Sequence, residues 1–115
     1  MKLQEMVNFY NDFINCTEQV LIHLAQENPD FVYNPGGYNS CSYNGPALKG
    51  PECNGCLFGQ TFQLMGWDEK EEMDTNLTIE DLFKELTNIE APYNWRTVQE
   101  MQDDGCSWGE AIQQL

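Results

Sequence analysis

Apolar residues recur at spacings of three and four over residues 3–25. Leu3, Met6, Val7, Tyr10, Phe13, Ile14, Thr17, Val20, Leu21 and Leu24 fall in one stripe about 140° wide when plotted at ~100° per residue. Glu5, Asn8, Asn11, Asp12 and Asn15 lie outside it. The pattern predicts one amphipathic helix. It stops at Asn28-Pro29, because a residue before proline is pushed out of the α region. The spacing returns in Leu57, Phe58, Thr61, Phe62 and Met65, predicting a helix over 54–66 with Gly66 at C′. Ile79, Leu82, Phe83, Leu86 and Ile89 predict a third helix. Thr78 opens it, with Asp81 standing where a capping box carries Glu or Gln. Trp95, Val98 and Met101 predict a fourth helix over 94–104, N-capped by Asn94 and ended by Gly105. Ser107 and Glu110 make a capping box for a last helix over 107–115, with Trp108, Ile112 and Leu115 facing inward.

Between the first two helices the composition changes. Pro29, Pro35, Pro46 and Pro51, with Gly36, Gly37, Gly45, Gly50 and Gly55, forbid a long regular element. Phe31, Tyr33, Tyr38, Tyr43 and Leu48 lie in the same stretch, whose charges are Asp30, Lys49 and Glu52. Disordered linkers are richer in charge and poorer in aromatics. The expected fold is therefore an all-α single domain of four to five helices. An ordered but irregular insert occupies about residues 28–53, with room in it for a short hairpin.

Composition narrows the function. The chain has 115 residues, 19 Asp+Glu against 5 Lys+Arg, and a formal charge of −14. Five cations on such a body cannot supply the phosphate neutralisation that nucleic-acid affinity requires, and anionic membranes would repel it. No apolar run approaches the ~20 residues of a membrane span, and no apolar core of a signal peptide precedes a cleavage site. The expected compartment is a reducing cytoplasm, where cysteines stay thiols unless a metal or catalysis uses them.

Two further motifs carry a resemblance. One is Cys56-Leu57-Phe58-Gly59 followed by Phe62, Leu64 and Gly66. The other runs from Val98-Gln99 through Gln102-Asp103 and Gly105 to Ser107-Trp108-Gly109-Glu110-Ala111. Over residues 52–115 the chain resembles small helical proteins of bacteria and their phages that share these segments. That resemblance implies architecture and a phage context, and no catalytic residues. Physically, the motif residues read as fold determinants: caps, a core tryptophan, and a glycine that allows close packing.

Candidate chemistry is sparse. Cys53-Asn54-Gly55-Cys56 has the two-residue gap that lets two thiolates reach one zinc, with Cys41 upstream. A small zinc-stabilised binding module using Cys41, Cys53 and Cys56 is thus the alternative reading. A Cys53–Cys56 or Cys41–Cys53 disulfide is another use of the same segment. His23, the one histidine, reads as a partly exposed structural residue. No catalytic triad, Walker loop or HExxH occurs, so no enzyme is expected and no cofactor beyond that zinc.

Charge distribution carries the main functional expectation. Nine of the 19 acids fall between Asp68 and Glu90, opposed by Lys70 and Lys84. Carboxylates spread over a rigid helical surface resemble a row of phosphates and are steered onto basic grooves. By size and charge the chain also resembles small acidic phage inhibitors of the anti-CRISPR or DNA-mimic type. That resemblance implies an inhibitor that binds a basic host nucleic-acid-binding protein, such as a CRISPR effector or restriction enzyme, and occludes its site. The expected contact residues are Asp68, Glu69, Glu71, Glu72, Asp74, Glu80, Asp81 and Glu85. Exposed tyrosines around Tyr33, Tyr38 and Tyr43 are the fallback surface.

Overall fold

Asp12 breaks what the hydrophobic stripe reads as one helix. Its backbone is left-handed, with φ 53°, and its carboxylate accepts the Asn15 N–H at 3.3 Å, capping a second helix. The result is α1 (Leu3–Phe9) and α2 (Phe13–Glu27). An elbow keeps the stripe continuous, because Phe13, Thr17, Leu21 and Leu24 still face the core. Tyr10 fixes the elbow by donating its hydroxyl to the Met65 carbonyl at 2.6 Å. Periodicity alone cannot see this break, since a corner that preserves the buried face leaves the spacing unchanged.

The computed structural model describes residues 1–33, 56–69, 72 and 77–115. Most of the insert, including Tyr38 and Tyr43, lies outside the described residues, as does any hairpin in it. The remaining helices are α3 (Leu57–Leu64), α4 (Ile79–Thr87), α5 (Tyr93–Asp103) and α6 (Trp108–Ala111), with a 3-10 turn at Ile112–Gln114. The fold is all-α. Among the described residues the one β feature is an isolated antiparallel bridge between Val32 and Ser107.

Helix ends follow local chemistry, with three corrections. Gly66 and Gly105 take φ of +114° and +96° and close α3 and α5 in Schellman motifs. In the first, Gly66 N–H bonds Gln63 and Trp67 N–H bonds Phe62; in the second, Gly105 N–H bonds Gln102 and Cys106 N–H bonds Met101. Thr78 caps α4 as expected. Ile89 is not part of that helix's buried stripe: Asn88, left-handed at φ 58°, ends α4 first and leaves Ile89 exposed. Pro92, not Asn94, is the N-cap of α5, since its fixed φ is already compatible with a helix start. The last helix is a single α turn passing into 3-10, which ends before residue 115.

The core is aromatic. Phe13 stacks between Phe62 and Phe83 at centroid distances of 6.0 and 5.8 Å. Trp95 sits against Phe58, Phe62 and Phe83. Trp108 meets Phe31 edge-on at 4.4 Å. Tyr33 is also buried in this core and so is not an exposed contact residue.

Two buried glutamines of α5 join the helices. Gln99 Oε1 accepts the Ile79 N–H at 2.8 Å, and Gln102 Oε1 accepts the Leu57 N–H at 2.7 Å. Each satisfies the first N–H of another helix, a group with no partner inside its own helix. The Gln-Asp-x-Gly-x-x-Trp-Gly-Glu-Ala segment thus caps one helix through Gln102, ends a second at Gly105 and starts a third at Ser107, while Gln99 just upstream caps a further one.

Gly109 explains the middle of that segment. Its N–H donates to the Pro29 carbonyl at 2.9 Å, and a Cβ here would lie 2.8 Å from the same oxygen. Gly109→Ala must push the two backbones apart. We expect a loss of about 1–3 kcal/mol by urea denaturation, the range for overpacking. A loss below ~0.5 kcal/mol would show that the contact opens freely.

Candidate functional site

The acids divide into two groups. The first ties the chain to itself. Asp68 pairs with the Met1 amine, which also donates to the Gly66 carbonyl at 2.7 Å. Their hydrogen bond, the main cause, raises the amine pKa and holds Asp68 below the usual carboxylate range. Glu72 is half-buried, and its Oε2 accepts both the Leu3 N–H at 3.0 Å and the buried Trp67 indole N–H at 2.9 Å. One carboxylate thereby caps α1 and satisfies a core tryptophan. Glu69 is half-buried nearby, while Glu71 and Asp74 lie outside the described residues.

The second group faces outward from α4 and α5. Asp81, Glu85, Glu90, Glu100, Asp103 and Asp104 are exposed and Glu80 is half-buried. They are there because Ile79, Leu82 and Phe83 of α4 and Trp95 and Val98 of α5 take the inner faces. The cations among them are Lys84 and Arg96. Arg96 Nε lies 2.9 Å from Glu100 and 3.4 Å from Glu80, bracing the two helices. The Glu100 hydrogen bond is the largest cause of a raised Arg96 pKa. Lys84 stands 3.9 Å from Glu90, a loose pair. Between them is a cleft of about 270 Å³ lined by Glu80, Asp81, Lys84, Glu90 and Ala91. Of the expected contact residues, then, Glu80, Asp81 and Glu85 share this corner, and Asp68 and Glu72 are occupied elsewhere.

Asp103 is exposed by overall area, but its carboxyl packs on buried Gln102, whose Nε2 donates to it at 2.7 Å. Desolvation, reinforced by Asp104 and Glu100 and opposed by the Gln102 bond, pushes its pKa up to about 6. The folded chain thus holds this proton more tightly than an unfolded chain at 3.8. The stabilisation is full below the unfolded value and is lost as pH rises through about 6. Asp103→Asn should melt higher than the parent at pH 7, with the gap closing toward pH 4. Parallel melts across that range check it, and a gap independent of pH refutes it.

Cys41 and Cys53 lie outside the described residues. Cys56 is fully buried and disulfide-bonded, correcting the expectation of a free thiol, while Cys16 and Cys106 are free. Zinc binds thiolate rather than disulfide sulfur, so the zinc alternative concerns the reduced chain. Among the described residues no three His, Cys, Asp or Glu side chains gather as a metal site. His23 is exposed, 3.8 Å from Glu27 on its own helix. Among the described residues, no helix is long and apolar enough to cross a membrane.

Sequence reasoning missed the two helix-capping glutamines and the exposed Tyr93. Their signals were present: Gln99 and Gln102 fall on the same helical face as Trp95 and Val98, and Tyr93 follows the helix-starting Pro92. Comparison with known proteins finds no matching family, no similar curated protein and no similar solved structure. Fold and site together define a small all-α protein with an aromatic core and an acidic outer corner.

Proposed function

We propose that this chain is a non-enzymatic inhibitor of phage type. Its acidic face binds a basic nucleic-acid-binding protein of the host cytoplasm, such as a CRISPR effector or restriction enzyme, and occludes the nucleic-acid site. The observation that carries the reading is the outer surface of α4 and α5. Seven carboxylates, five on the two helices and Glu90 and Asp104 directly beyond their ends, stand with two cations among them, Lys84 and Arg96. A fixed array of this kind presents a potential like that of a phosphate backbone, without the adaptability of a disordered acidic tail.

Capture from bacterial lysate tests it. The expected catch at low salt is a basic nucleic-acid-binding protein. It should be released near ~0.5 M NaCl, where the screening length falls to a few Å, and displaced by added DNA. Capture that ignores both salt and DNA would refute the proposal.

A further inference from the structure

Five large hydrophobic side chains are exposed among the described residues, and two of them flank the turn from α4 to α5: Ile89, at 40%, in the link, and Tyr93, at 74%, the first residue of α5. Both are displaced from the core by the helix ends. Asn88 terminates α4 before Ile89, and Pro92 starts α5 so that Trp95, not Tyr93, points inward. The same link supplies Glu90 and Ala91 to the cleft completed by Glu80, Asp81 and Lys84. Ile89 directly precedes the cleft residues Glu90 and Ala91, and Tyr93 follows them two positions on; apolar and aromatic side chains next to a carboxylate-lined recess suit a side chain with an apolar stem and a cationic head. At about 270 Å³ the recess is smaller than typical cofactor pockets.

The corner already shows how it handles such a group. One turn on from Tyr93, the Arg96 guanidinium spans Glu80 and Glu100. Among the described residues Asp81 and Glu90 have no comparably close cation, since Lys84 approaches Glu90 only to 3.9 Å. We infer that the link between α4 and α5 is the docking point for an arginine-bearing basic segment of the partner protein. Ile89 and Tyr93 cover the arginine stem, and Asp81 and Glu90 take its guanidinium. Arginine fits better than lysine because its planar head stacks on an aromatic ring and matches carboxylate geometry, and it is the less strongly hydrated cation. The inference rests on the proposed docking of a basic protein and names the surface and side chain that would carry it.

The test is an NMR amide titration of the full chain with hexa-arginine and hexa-lysine peptides at low salt, repeated with Tyr93→Ala and Tyr93→Phe. Tyr93 is exposed, so both variants should keep the parent spectrum elsewhere. Shifts should centre on Glu80–Lys84 and Ile89–Arg96. Hexa-arginine should bind more tightly than hexa-lysine, and Tyr93→Ala should lose about two- to fivefold of that affinity, the range for one cation–π contact at an exposed site. Tyr93→Phe should retain it. Shifts centred elsewhere, or equal affinities untouched by Tyr93→Ala, overturn the docking point while leaving a general acidic surface standing. No shift with either peptide overturns both.

Discussion

Changing Asp81, Glu85 and Glu90 together to lysine should abolish salt-sensitive capture of the basic partner while leaving the helical circular dichroism and melting curve close to the parent's. All three are exposed, and none is the acceptor that caps a helix or satisfies a core donor. Reversing three interfacial charges replaces three attractions with three repulsions. At roughly 1 kcal/mol each near a wet surface, the loss is about a hundredfold or more. The contrasting variant is Glu72→Lys. It removes the acceptor shared by Leu3 N–H and Trp67 Nε1–H, and each stranded donor costs about 1–3 kcal/mol. That variant should melt well below the parent. If the triple variant still captures the partner and is still displaced by DNA, the surface lies elsewhere on the chain. If Glu72→Lys melts like the parent, the double hydrogen bond is not holding α1.

Trp95→Ala should be the most damaging single change to stability. Trp95 is fully buried against Phe58, Phe62 and Phe83 at centroid distances of 5.4–6.3 Å. It is where α5 meets α3 and α4. Truncation leaves a cavity walled by rigid rings, which cannot collapse to fill it. The expected loss is about 3–5 kcal/mol, on the scale of the whole stability of a small domain. Trp95→Phe should lose much less, because a ring still fills most of the space. Urea denaturation of the two variants measures the difference. A loss below ~1 kcal/mol for Trp95→Ala would mean that the core is looser than its packing.

These contrasts also bear on how the acids are read. In the sequence, the densest anionic run is Trp67–Asp74, and it invites the functional assignment first. In the fold, Asp68 and Glu72 are held by the N-terminal segment, whereas the sparser acids of α4 and α5 remain outward. A carboxylate's role depends on which donors the tertiary structure brings to it, and spacing along the chain does not contain that information.

The sequence by itself determined the helical class, four of the buried stripes and several of the residues that start and stop helices. Periodicity and capping are local, set by about one turn of chain and by the conformations that Gly, Pro, Asn, Ser and Thr favour. Hence Thr78, Ser107, Gly66 and Gly105 act where their types predict. Only the tertiary structure decided the rest. It bent the first helix at Asp12, because a left-handed residue there keeps the apolar face on the core. It used Gln99 and Gln102 as caps for helices 20 and 45 residues away in sequence. It placed Gly109 against Pro29 and turned Ile89 and Tyr93 outward on either side of the cleft residues Glu90 and Ala91. Each of these depends on which distant groups meet, and a one-dimensional pattern fixes the faces of helices but not their neighbours.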